Sequence, residues 1–193
     1  IAAALPYIAT AASVAGAVRQ KANFVFGNSW RLRSLSTDTD FALAVEEDFK
    51  RLDQSFDIRG SNFSFRKNIW RGSKLLDVDG DFFVILTEDE RGFPKLQFLE
   101  SHRVGDWGEC RDGYVADNPA YNGRRIQTGV IVDDYMVPVA YRIKDDSRRK
   151  GFQDIPANSV VHFCDMEWFS QSRGTPTLAS GILSWYDLAE TRS

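Results

Sequence analysis

The sequence is poor in the residues that most chemistry needs. Its 193 residues hold two histidines and two cysteines. No G-x-x-x-x-G-K-[ST] occurs, which removes a P-loop, and neither G-x-S-x-G nor H-E-x-x-H is present. Cys110 and Cys164 lie far apart and form no C-x-x-C pair. They read as two reduced thiols, not as a disulfide framework. Basic residues are not in excess: 24 Lys and Arg stand against 27 Asp and Glu, a formal charge of −3. Tight, charge-driven binding to a duplex is therefore not supported, although a surface that DNA passes without sticking is not excluded. No internal repeat, low-complexity tract or clear interdomain linker is visible.

The longest uncharged run, Ile1 to Val18, has no basic leader and is rich in alanine, with Pro6 and Gly16 inside it. It is short and weakly hydrophobic for a membrane span, and a helix buried against protein is expected. Hydrophobic residues make up 43% of the chain, enough for a sizeable core. The chain begins with Ile1, not Met, and ends inside an apparent helix, so it is expected to be part of something longer.

Periodicity predicts the elements. Phe41, Val45, Phe49 and Leu52 recur at helical spacing, with Glu46, Glu47, Lys50 and Arg51 off that stripe as a solvated face. Phe65, Ile69 and Leu75/Leu76 suggest a second helix, weakened by Gly72. Phe82 to Leu86 and Lys95 to Leu99 read as strands of a hairpin over Asp81 to Glu100, after an Asp79-Gly80 turn. Gly105 to Arg125 reads as a surface loop, and Asp145 to Phe152 as a charged one. Between them Thr128 to Val132 and Val137 to Ile143 are strands joined through Asp133-Asp134-Tyr135-Met136. Ile155 to Asn158 is a turn into a short strand, Val160 to Phe163. An irregular loop over Met166 to Pro176 follows, then a helix capped by Thr175 with Pro176 at its first position. Leu178, Ile182, Trp185 and Leu188/Ala189 would form its apolar face.

Five constellations are candidate sites. His162 near Asp165 could be an acid–base pair, the basis of a hydrolase reading. On a strand, residues three apart face opposite ways, which favours a structural histidine. Asp77-Val78-Asp79-Gly80-Asp81 with Glu88 resembles a calcium loop, but Phe82 stands where an EF-hand requires glycine. Glu100, Asp106, Glu109 and Asp112 have no spacing that sets a geometry, and Arg148-Arg149-Lys150 is a short basic run. Arg173-Gly174 is the sharpest local signal. The glycine permits an unusual turn, and the arginine's planar fork could bridge to a carboxylate across a subunit boundary or simply be solvated. Trp168, Phe169, Trp185 and Tyr186 read as core or interface aromatics.

Three segments carry a resemblance. The strand ending His162-Phe163, the loop Gln171-Ser172-Arg173-Gly174-Thr175-Pro176 and the late Asp187-Leu188-Ala189-Glu190 together resemble the lambda-type portal proteins of tailed bacteriophages. Gly129-Val130-Ile131-x-Asp133 followed by Pro138 to Ile143 is the next match, and Asn23 to Asn28 and Glu100-Ser101-His102-Arg103 fit loosely in order. The resemblance implies an α+β, wing-like domain: helical over 1–78, β-hairpins over 79–165, then a loop and a helix leading toward the stem over 166–193. It implies a structural, non-enzymatic protein without cofactor, part of a dodecameric ring at one capsid vertex through which DNA is packaged and ejected. Expected partners are other copies of the chain, the terminase large subunit, the head–tail connector, capsid and scaffold proteins, and double-stranded DNA held without sequence preference; no membrane is expected. Assembly would take place in the bacterial host cytoplasm. Gln171, Arg173, Trp168 and Trp185 are the expected subunit contacts. A head–tail adaptor and a His162/Asp165 hydrolase are the rival readings.

Overall fold

The computed structural model describes residues 12–27, 31–60, 63–105, 114–116, 118–144 and 151–181. Within them the fold is α+β, with three α-helices and two antiparallel sheets. Helices α1 (Ala12–Phe26), α2 (Thr39–Asp53) and α3 (Phe65–Val78) come first. The strands are β1 (Asp81–Glu88), β2 (Pro94–Glu100), β3 (Tyr114–Val115), β4 (Arg125–Gln127), β5 (Val130–Val132), β6 (Pro138–Lys144), β7 (Phe152–Pro156) and β8 (Val160–Cys164). One sheet has the order β2-β1-β8, the other β3-β4-β5-β6-β7.

β1 is central in its sheet and buried on both faces, which is why its apolar run is continuous and not alternating. Phe83 and Ile85 face the second sheet and meet Val130, Val132, Tyr141 and Ile143 in the main core. Phe82 turns the other way, toward α3. There Gly72 has a reason: a Cβ on it would lie 2.5 Å from the Phe82 ring. The glycine that weakens the helix lets the helix reach the sheet. α1 packs on α3, tied by Lys21 to buried Asp77 and by Asn23 Oδ1, which accepts from Trp70 Nε1 at 2.9 Å.

The structure departs from the sequence expectations in five places. α1 does not stop with the uncharged run at Val18; it continues through Phe26 and ends at Gly27 in the left-handed region. On α2 the half-buried positions are Ala42, Val45, Glu46 and Phe49, with Asp53 buried; of the predicted stripe Val45 and Phe49 are covered while Phe41 and Leu52 are exposed. Glu46 is not simply solvated, because it accepts a hydrogen bond from the Ser34 amide at 3.2 Å. Thr128 is not in a strand. Thr128 (φ 47°) and Gly129 (φ 87°) form the two-residue turn between β4 and β5, so the end of the expected loop is a strand instead. Ile155 and Pro156 are not a turn but the end of β7, paired with β6; the turn is the 3-10 segment Ala157–Ser159. Beyond Pro176 the described residues show a 3-10 turn, Thr177–Gly181, and Thr175 Oγ1 accepts from Gln171 Nε2 instead of capping a helix amide. Ile182, Trp185, Tyr186 and Asp187 to Glu190 lie outside the described residues, as do Cys110, Asp106, Glu109, Asp112 and Arg148 to Lys150.

A β-branched residue with positive φ is strained by about 1–3 kcal/mol. Thr128→Asn keeps the backbone carbonyl and tolerates the conformation. It is expected to stabilise the protein by about 1 kcal/mol and raise the thermal midpoint by roughly 2–4 °C, measured by circular dichroism.

Candidate functional site

The loop after β8 is seated by three residues of the Gln-x-Arg-Gly-x-Pro stretch. Gln171 knits the loop to itself. Its Oε1 accepts from the amides of Glu167 (2.9 Å) and Trp168 (3.2 Å), and its Nε2 donates to Thr175 Oγ1 (2.8 Å). Arg173 ties the loop to both sheets. Its Nε and Nη2 donate to the two oxygens of Asp81 at 2.6 and 3.0 Å. Nη2 also donates to Ser101 O (2.9 Å) and Oγ (2.7 Å), and Nη1 to Val104 O (2.9 Å) and Thr128 O (2.7 Å). Gly174 permits the contact. A Cβ there would overlap the Gly80 carbonyl, and its amide donates to Asp81 Oδ2 at 3.2 Å. The fork does grip a carboxylate, but not across a subunit boundary: that carboxylate belongs to β1 of the same chain.

Every atom of this cluster is committed. Asp81 is 1% exposed. Besides Arg173 and Gly174 it meets His162 Nε2 at 3.2 Å. His162 stacks on Phe83, with ring centroids 4.3 Å apart, and its Nδ1 lies 3.5 Å from Tyr141 Oη. The Arg173 guanidinium also sits over the Phe83 ring, 5.0 Å from its centroid. Burial alone would raise the Asp81 carboxyl. Hydrogen bonds from His162 and Arg173, and the guanidinium charge, outweigh it and hold the group far below the usual carboxylate range. Burial pushes the Tyr141 hydroxyl up to about 12. Asp79, next to this cluster, is raised, mainly by burial.

The hydrolase reading required His162 and Asp165 to converge, and they do not. His162 pairs with Asp81, while Asp165 is exposed and offers its backbone carbonyl to the Thr175 amide at 3.4 Å. Two clefts, of about 510 and 230 Å³, open beside α3, and neither is lined by His162 or Asp165. The acids of the calcium-like stretch are divided: Asp77 goes to Lys21 and Asp81 to Arg173. Among the described residues no three candidate ligands come together. Cys164 is a free, half-buried thiol raised by burial.

Three sequence segments that look unrelated in the chain thus converge on one guanidinium: Ser101 to Val104, the turn at Thr128, and Gln171 to Gly174. A match to one shared family over all three would explain why they occur together. The family profile described as phage portal protein, lambda family, matches residues 8–193. The chain belongs to the lambda family of phage portal proteins. It is therefore a structural protein of a bacteriophage, a component of the viral capsid. A search of the curated proteins finds no match to the chain. In this portal chain the motif residues build a latch. Sequence reasoning named Arg173 but missed Asp81, because the two are 92 residues apart. Asp81 was legible only as one of several acids in a turn.

The latch gives a pH dependence. Asp81 has a folded value below its unfolded value, near 3.9, so its stabilisation is complete above about pH 4 and is lost as pH falls toward the folded value. Asp57 works in the same sense, since bonds from Arg59 and Asn68 outweigh its burial. The thermal midpoint is expected to fall as pH is lowered from 5 to 2. In Asp81→Asn that slope flattens in part, leaving the share due to Asp57.

Proposed function

We infer that this chain is the wing portion of a portal ring, and the observation that carries the inference is the family match over nearly its whole length. The ring, a dodecamer, sits at one capsid vertex. DNA enters through its channel during packaging and leaves through it at ejection. The terminase large subunit, the head–tail connector and the capsid and scaffold proteins dock on it, and assembly takes place in the bacterial host cytoplasm. The portal supplies geometry and no bond-making chemistry, and it needs no cofactor. A formal charge of −3 suits a channel wall that DNA slides past. The helix expected to lead toward the stem lies largely outside the described residues, which end at Gly181.

The interface residues divide by role. Trp168 is 62% exposed and stands ready to touch a neighbouring copy. Gln171 and Arg173 hold the loop that presents it, and Trp185 completes the set from outside the described residues. The experiment is negative-stain electron microscopy of the full-length protein, with mass photometry on the same sample. Rings with a central hole and about twelve subunits are expected. A uniform monomer at every salt concentration would overturn the ring and leave an adaptor-like structural role.

A further inference from the structure

The sheet β2-β1-β8 has two unequal edges. Along β2, residues Phe56 to Ile58 pair with Leu96, and the aromatic rings of Phe49, Phe56 and Phe65 gather over Phe98. α3 covers the middle of the same face through Gly72 on Phe82. Along β8 the described residues supply no strand to the outer edge. On the face shared with Phe82, Val161 and Phe163 are 41% and 38% exposed, with Leu86 beside them. Next along the chain, Met166, Trp168 and Phe169 are exposed as well.

Off the opposite edge lies a second apolar surface that has no partner among the described residues. α2 leads straight into the segment along β2, and it touches the body through Phe49 and Asp53. Phe41, 58% exposed, and Leu52, 43% exposed, lie on one stripe of the helix, beside that contact and not covered by it. A convex helical stripe on one edge and a flat apolar face on the other cannot satisfy each other within one chain. They can do so between copies placed head to tail, which is the arrangement a closed ring requires.

We propose that α2 of one copy lies across the β8 side of the next, with Phe41 and Leu52 against Val161, Phe163 and Trp168. This rests on the ring reading above and names its contact surface. The area fits. Taking 150–250 Å² for a whole aromatic side chain, the exposed parts of Leu86, Val161, Phe163, Met166, Trp168 and Phe169 come to roughly 600 Å². A standard interface buries about 800 Å² per partner, so these side chains supply most of one. Gln171 then acts as a positioning residue, because it fixes the amide of Trp168.

The test is cysteine cross-linking in the full-length protein. Phe41→Cys/Val161→Cys, under mild oxidation, should give a covalent ladder that climbs to the ring number, at least tenfold above either single variant. An equal mixture of the two single variants should stop at covalent dimers, because each copy carries half of the pair; a contact symmetric between two copies would stop the double variant at dimers as well and would overturn the proposal. Rings visible by microscopy with no ladder would overturn this pairing and leave the ring reading intact. A ladder without closed rings would support the pairing and sink the ring. Val161→Cys/Trp185→Cys cross-linked within one chain, with no ladder from the first pair, would mean that residues 182–193 occupy the β8 side, and the proposal fails.

Discussion

Arg173→Ala should cost about 3–5 kcal/mol, because it leaves Asp81 buried and without its main counter-charge. For a chain of this size that is a fall in thermal midpoint of roughly 6–20 °C. Three backbone carbonyls, of Ser101, Val104 and Thr128, lose a donor at the same time. Arg173→Lys should recover less than half of the loss. An ammonium can meet one oxygen of Asp81 but cannot span both while also reaching Ser101 and Thr128. The double variant Asp81→Asn/Arg173→Met removes the buried charge along with its partner and should cost less than Arg173→Ala alone. Thermal unfolding by circular dichroism measures all three. A loss below about 1 kcal/mol for Arg173→Ala would mean that Asp81 is hydrated or repartnered, and the latch as described would be wrong.

What could be read from the sequence follows from how local the physics is. α3 and the β1–β2 hairpin were legible, because their periodicity and turn residues lie within a few positions of one another. α2 was legible as a helix, but its burial only in part. Of the stripe Phe41, Val45, Phe49 and Leu52 the chain half-buries Val45 and Phe49 and leaves Phe41 and Leu52 exposed, because the stripe shows which side is apolar, not how much of it is covered. The β4–β5 turn escaped because Thr128-Gly129 lacks the Asn-Gly signature; a threonine at φ 47° is held by contacts far away in sequence. Gly105 and Gly129 meet back to back there, and a Cβ on Gly105 would lie 2.9 Å from Gly129. β7 was hidden by Pro156, which reads as a turn residue but can end a strand. The site was half legible. The Arg-Gly pair stood out and its partner did not, since nothing local links position 173 to position 81.

These misses share a cause with the latch itself. Long-range partners such as Asp81 with Arg173, Arg142 with Asp154 and Lys21 with Asp77 are each buried on at least one side. Each holds together elements that local propensity forms but cannot orient. In the two-sheet core, Phe83 and Tyr141 fill the space while Arg173 sets how the β1 end of one sheet meets the β4–β5 turn of the other.

Gly174→Ala tests that coupling from the other side of the contact. Gly174 does not have positive φ, so alanine meets no backbone penalty there. Its Cβ would overlap the Gly80 carbonyl oxygen and lie 2.8 Å from the carbonyl carbon, and backbone cannot swing aside as a long side chain would. Gly80 is equally confined: it has φ 90°, and a Cβ on it would lie 2.5 Å from Gly174 O. The loop must therefore lift, and lifting it draws Arg173 off Asp81. The expected cost is again about 3–5 kcal/mol, the value for stranding the buried carboxylate. Adding Arg173→Ala to Gly174→Ala should cost about 1 kcal/mol or less beyond the first change, because both break one interaction. Gly123→Ala is the control. It has φ 80° but nothing within 4 Å of the new Cβ, so it carries only the conformational penalty of about 1–3 kcal/mol. Trypsin supplies a second readout. Cleavage after Arg173 should be absent in the native protein and rapid in Gly174→Ala, since the bond becomes accessible only when the loop leaves Gly80. A Gly174→Ala protein as stable and as resistant at Arg173 as the native one would show that the loop does not seat on the Gly80 turn, and the connection between the two sheets would need another origin.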